Sequence, residues 1–176
     1  EVPATDAAIA ALPVDDDKSI AVLPFKNLSD SDENEYFSDG VMEAILNDLA
    51  RLRDVKVVSR TSVEAYRDTE KSVRLIGQEL DVAHILECSV QRAGDRVRVT
   101  AQLIQTSDDK HLWSSNYDRD ISDIFKIQSE IATAISRNLE LILTSEENEL
   151  MSNAPTSNLE AYDLYLRAQH RKHGEW

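Results

Sequence analysis

A single cysteine, Cys88, limits the sulfur chemistry of this chain. It can form no intramolecular disulfide and no cysteine-based zinc site. It lies in the strand-like run "HILECSVQR", where a lone cysteine packs as a small apolar side chain. Basic residues are scarce too: 19 Lys and Arg stand against 33 Asp and Glu, a net charge of −14. Phosphate recognition needs a basic patch, so nucleic-acid binding by this chain is disfavoured, as is an anionic membrane surface. The acid excess serves solubility. No run of about 18 apolar residues occurs, so no membrane insertion is expected of this chain. Neither G-x-S-x-G nor H-E-x-x-H is present. The four histidines (His84, His111, His170 and His173) have no paired metal spacing.

What is present suffices for one domain with a core, since 41% of 176 residues are apolar. Residues 1–17 mix Ala, Pro and Asp without a lasting period and read as a linker or tail. "KSIAVLPF" (18–25) reads as a buried strand stopped by Pro24. Ser38 and Asp39 read as N-cap and first-turn acid of a helix over about 39–53, with Val41, Ile45 and Leu49 on its apolar stripe. "DVKVVSR" (54–60) reads as a strand. Thr61 and Ser62 are placed to cap a short helix, and 72–80 is a second helix with Val73, Ile76 and Leu80 aligned.

From "VAHILECSVQR" onward the period changes to two. Leu86, Cys88 and Val90 alternate with polar neighbours. Val97, Val99, Ala101 and Leu103 do the same after the turn "AGDR", and "LWSSNYDRD" supplies a third antiparallel strand. Trp113 and Tyr117 share a core face there. Asp118, Asp120 and Asp123 read as helix caps. Ser122 starts a long amphipathic helix over about 122–143, with stripe residues Ile124, Ile127, Ile131, Ile135, Leu139 and Ile142. Residues 144–157 read as a linker, and 158–176 as a further helix that needs partners beyond this chain. The opening at Glu1 and the ending "HRKHGEW" are expected of a piece of a longer protein.

These elements predict a mixed α/β fold: three α/β/α layers on a five-stranded sheet of order 2-1-3-4-5, strands counted along the chain. The winding reverses between the first and third strands. Ligand crevices form outside the carboxyl ends of strands at such a point. The acidic loop "KNLSDSDENEYFSDG" (26–40) is anchored there. It lacks the glycines of a phosphate loop before Gly40, and its acids would repel a nucleotide. Asp30, Asp32 and Asn34 start a calcium-loop pattern, but Glu35 replaces its glycine and Val41 its bidentate glutamate. No metal site and no cofactor are expected. Arg60 is expected to pair with Asp39; anion capture is the alternative. The least favoured reading is a metal-dependent hydrolase using Asp30, Asp32 and Asp39, which needs these acids to converge.

The wording of four segments carries a family resemblance. They are "SIAVLPFKNLSDSDENEYFSDGVMEAILNDLARL", "VVSRTSVEAYR", "IGQELDVAHILECSVQRAGDRVRVTAQLIQT" and "HLWSSNYDRDISDIFKIQSEIA". Together they cover about residues 19–143 and resemble the TolB amino-terminal-type domain of bacterial multidomain signalling proteins. The resemblance implies an anticodon-binding-domain-like α/β/α fold over residues 18–143. It also implies a neighbouring effector, either a class III adenylate/guanylate cyclase domain or a winged-helix DNA-binding domain. "NLEAYDLYLRAQHRKH" is similar to the helix that opens tetratricopeptide repeats. Cys88 and Gln91 depart from the pattern, which has Gly and Arg there. That argues against close backbone approach at position 88 and weakens an anion site on the strand.

The family carries no catalytic residues to transfer. Asn27, Ser29, Asp39, Gly40, Arg60, Thr61 and Ser62 are the expected ligand-binding positions. The expected function is a non-catalytic sensory or coupling domain whose partner is a protein, a neighbouring effector domain or a small ligand. The alternative is an assembly module that forms a homodimer. A membrane helix preceding this domain would make it periplasmic; otherwise it is cytoplasmic.

Overall fold

The apolar runs become strands and the period-four stripes become helices, arranged as a mixed α/β sandwich. The computed structural model describes residues 16–141, 143–152 and 158–174. The expected linker or tail at the amino terminus lies almost wholly outside the described residues, and so does Ile142. The sheet comprises β1 (Ser19–Val22), β2 (Lys26–Asn27), β3 (Lys56–Val57), β4 (His84–Ala93), β5 (Arg96–Gln105) and β6 (Lys110–Asp120). Its order is β3-β1-β4-β5-β6, with β2 also on β4. β1 runs parallel to β3 and β4, whereas β4, β5 and β6 form an antiparallel meander. The predicted order is therefore kept, with one short strand added.

That added strand corrects the expected boundary at Pro24. Proline has no N–H to give a ladder, so the strand pauses there and resumes. Leu23 N donates to Leu86 O at 3.1 Å, and Leu28 N to Val90 O at 2.8 Å. Lys26 and Asn27 thus sit opposite Ser89 and Val90 instead of opening a loop.

Helix α1 (Glu35–Ala50) begins earlier than its stripe suggested. Phe37 is only 1% exposed. With Val41, Ile45 and Leu49 it forms an i, i+4 row that draws the chain into the helix. Ser38 and Asp39 consequently lie inside α1, and Asn34 occupies the N-cap without a side-chain bond. The strand expected over 54–60 shrinks to β3, because Ser59 leaves it to cap α2 (Arg60–Glu64). Ser59 Oγ accepts from Ser62 N. Thr61 and Ser62 are first-turn residues of α2, not its caps. Ser72 caps α3 (Val73–Leu80) in the same way.

Burial follows the predicted alternation. Leu86, Cys88 and Val90 are buried with Val97, Val99, Ala101, Leu103 and Tyr117, and Trp113 packs partly buried against the same core. Burial pushes the Cys88 thiol well above its usual pKa, leaving a packing residue without reactivity. A 3-10 turn at Ile121–Asp123 precedes α4 (Ile124–Asn138), so Ser122 is not its cap. Ile124, Ile127, Ile131 and Ile135 are fully buried. Asp118, expected as a cap, instead binds Arg96 and Arg98 along the exposed ladder. Asp120 and Asp123 do stand at the N-cap positions of the 3-10 turn and of α4, neither with a side-chain cap bond, and Asp120 also binds Arg96.

Two helices follow. Inside the stretch expected as a linker, α5 covers Ser145–Ser152. Its start is a capping box. Glu147 N donates to Thr144 Oγ1 at 3.2 Å, and Thr144 N donates to Glu147 Oε2 at 2.7 Å. The other Glu147 oxygen accepts from Arg53 N at 3.1 Å, tying α5 to the end of α1. Glu147→Ala is expected to cost about 1 kcal/mol in urea unfolding, the usual worth of a cap. Finally α6 (Leu159–Gly174) returns to the domain and packs on α1. It was expected to need partners outside this chain, yet Tyr162 and Leu166 are buried here. Gly40 permits this. A Cβ there would stand 2.3 Å from Leu166 Cδ2, so only glycine leaves room for the leucine.

Candidate functional site

The acidic loop is built from its own polar groups. Asn27 Oδ1 accepts from Ser29 N at 3.0 Å, and its amide donates to Ser31 O at 3.3 Å, an Asx-type turn. Ser29 Oγ accepts from Arg92 N at 2.9 Å and pins the loop to the end of β4. Asn27 and Ser29 therefore hold backbone. Asp30 and Asp32 are exposed, whereas Asp39 is buried. Among the described residues, no three His, Cys, Asp or Glu side chains converge to hold a metal ion. The convergence that a hydrolase of Asp30, Asp32 and Asp39 requires is thus not formed.

Asp39, 8% exposed, is the centre of an ion network. Arg67 Nη2 donates to its Oδ1 at 3.0 Å, and Arg60 Nη2 lies 3.6 Å from its Oδ2. Arg60 also binds Glu43 at 2.8 Å, while Arg67 binds Glu64 and Glu35. The hydrogen bond to Glu64 above all, with the charge of Asp39, drives the Arg67 pKa upward, although burial opposes it. Both guanidinium groups are thus committed to carboxylates, which matches the expected Arg60–Asp39 ion pair. Arg67 went unremarked in the sequence. Its position seven residues after Arg60, across the short α2, was the available signal. Thr61 and Ser62 are exposed and lie outside the network. Asp39, Gly40 and Arg60 do line one cleft together with Leu166, but its volume of about 10 Å³ holds no more than a single water.

The crevice anticipated at the winding reversal is present beside this network. It encloses about 210 Å³ past the carboxyl end of β1, against the middle of β4 at Glu87–Ser89. Pro24, Phe25 and Lys26 form one wall, with Arg67, Glu87 and Ser89 around them. None of the seven expected binding residues lines it. Its rim carries both charge signs. Lys71 Nζ is 3.0 Å from both Glu79 oxygens, and Tyr66 OH donates to Glu79 at 2.7 Å. These bonds hold the Glu79 pKa below its usual value, Tyr66 contributing most.

On the other side of Asp39, a second polar cluster fastens α6. Tyr36 OH and Arg92 Nη1 both donate to Asp163 Oδ1 at 2.9 Å. Arg167 donates to Asp163 Oδ2 at 3.1 Å and lies 5.0 Å above the Tyr36 ring. Burial pushes the Asp163 carboxyl up, but the hydrogen bonds from Arg92 and Tyr36 and the nearby positive charges outweigh it and hold it low. Arg92 additionally stacks over Phe37 at 5.0 Å. One arginine at the end of β4 therefore joins the loop (through Ser29), the start of α1 and the second turn of α6.

The second-domain profile of HilA/YgeH-like transcriptional regulators matches residues 16–134. A curated relative from Rhizobium meliloti (strain 1021), provisionally named adenylate cyclase 3, is 40% identical over 151 residues. The alignment takes in 86% of this chain but 26% of the relative, so the chain spans about a quarter of that protein's length. Two solved structures share the fold. TolB from Acinetobacter baumannii aligns with TM-score 0.51 and 16% identity, over 69% of this chain and 28% of TolB. Lipoprotein GNA1162 from Neisseria meningitidis aligns with TM-score 0.50 and 18% identity, over 72% of this chain and 99% of its own. At these identities the likeness speaks for the fold alone.

Proposed function

Because the chain belongs to the family of HilA/YgeH-like transcriptional regulators, matching their second domain, we propose that it is a non-catalytic coupling domain of a larger signalling protein. It passes a conformational state between the carboxyl end of its sheet and α6. The observation that carries this reading is the Asp163 lock: a single carboxylate in the second turn of α6 binds Tyr36 of α1 and Arg92 of β4. Polar, part-buried contacts of this kind have two discrete arrangements, made or broken, which a coupling element requires. The cyclase-named relative and the regulator family both support a neighbouring effector, a cyclase or a DNA-binding domain. The similarity of "NLEAYDLYLRAQHRKH" to a repeat-opening helix supports α6 as the lead into a repeat array. Such arrays bind partners along extended concave surfaces.

Leu166→Asp in the full-length protein tests this role. A charge in the Gly40 notch undocks α6 while leaving the sheet intact. Effector output, nucleotide cyclisation or operator binding, is expected to change several-fold. Unchanged output with α6 shown to be protease-sensitive would refute the coupling role.

A second reading, assembly, is favoured by Leu164 and Tyr165 of α6, which are 61% and 55% exposed. Sedimentation separates the two: a monomer mass at all concentrations removes assembly.

A further inference from the structure

We propose that the cleft enclosed by α1, α4, α5 and α6 binds an organic cation with an apolar body, an arylalkylammonium for example, whose charge pairs with Asp48. The cleft has a volume of about 530 Å³, the size of small-molecule sites, which are mostly apolar with a few polar groups that fix orientation. Ala44, Phe125 and Tyr162 form its interior, with Leu150 and Tyr165 at the rim. The interior is fixed in place. Phe125 and Tyr162 meet edge to face at 4.7 Å, and Gln128 Nε2 donates to Tyr162 OH at 3.1 Å. Aromatic walls suit an organic cation, because ring faces attract positive charge.

Asp48 supplies the polar anchor. It lines the cleft partly buried, and among the described residues it makes no hydrogen bond or ion pair. Arg51 also lines the cleft but makes no ion pair with Asp48 among the described residues; it acts only through space, and burial outweighs that attraction to lift the Asp48 carboxyl to about 6. The other acid lining the cleft, Glu43, is already bound by Arg60. A cation is the one charge type that would relieve the desolvated Asp48. A neutral guest would deepen its desolvation, and an anion would face Asp48 and Glu43 against the single lining arginine among the described residues, Arg51. The net charge of −14 draws cations to this surface in addition. This goes beyond the coupling role, since binding requires the docked α6 but no effector.

Isothermal titration of the whole chain with phenethylammonium, phenylpropanol and hydrocinnamate tests it. The ammonium is expected to saturate one site. The alcohol should bind at least about tenfold more weakly, and the carboxylate not at all. Asp48→Asn should cut ammonium affinity by about tenfold or more, whereas the alcohol, relieved of desolvating a charge, should bind no more weakly than before. Ala44→Leu, which fills the interior, should weaken both. Absence of saturation by the ammonium up to about 10 mM, or equal affinity in Asp48→Asn, overturns the proposal. None of these readouts involves effector output, so the result is independent of whether α6 couples to a neighbour.

Discussion

Asp39→Ala is expected to destabilise the fold by about 2–3 kcal/mol, the largest effect of any single polar change considered. Its carboxylate lies between two guanidinium groups, and its side chain is only 11% exposed. Removing it leaves Arg60 and Arg67 facing each other across a partly dry gap. Losing one partner of a buried pair commonly costs about 3–5 kcal/mol. The expectation here is lower for two reasons. Each arginine keeps another acid, Glu43 for Arg60 and Glu64 for Arg67. Each also retains about a quarter of its side-chain surface in water. Urea unfolding followed by circular dichroism measures the change. A cost under about 0.5 kcal/mol would place Asp39 among ordinary surface ion pairs.

Asp48→Asn is expected to act in the opposite direction, and in a pH-dependent way. The folded-state pKa of Asp48 is about 6 because burial penalises its charge, while an unfolded aspartate titrates near ~3.9. A folded pKa above the unfolded one means that the native state holds the proton more tightly. Wild-type stability from this group is therefore fully present below about pH 4 and is lost as pH rises through 6. Asparagine carries no charge to desolvate. The variant should gain about 1–2 kcal/mol at pH 8, less than the shift alone would give because Asp48 keeps some contact with water. The gain should shrink through pH 6 and vanish near pH 4. Asp163 and Glu147, whose carboxyls are held low, lose stabilisation as pH falls, but they do so equally in both proteins. Urea unfolding at several pH values gives the difference directly. A gain independent of pH would show that Asp48 titrates normally in the native state.

The sheet was legible because its long strands carry period-two alternation, and Leu86, Cys88, Val90, Val97 and Val99 are buried as that alternation requires. The parallel part was harder to read. β1 and β3 are short, and Pro24 hides the continuation of β1 into β2, which only the Leu23 and Leu28 hydrogen bonds to β4 disclose. The start of α1 is hard to read because the acidic run before it masks Tyr36 and Phe37, its first buried anchors. α5 had a signal in "TSEE", the Thr144–Glu147 capping box, within a stretch too polar to suggest burial.

The candidate site divides along the same line. The Arg60–Asp39 pair and the position of the crevice followed from chain order. Arg67, the Asp163 lock and the Leu166 notch depend on contacts between residues more than 25 positions apart, which no local pattern encodes.

The central claim is that α6 and the end of β4 move as one unit. Hydrogen–deuterium exchange on the wild type and on Asp163→Ala tests it most directly. The account predicts that Asp163→Ala accelerates exchange in α6 and, with it, at Arg92 N on β4 and at Ser29 N in the loop, while the middle of β5 is unchanged. Faster exchange confined to α6, with Arg92 and Ser29 as protected as before, would contradict it.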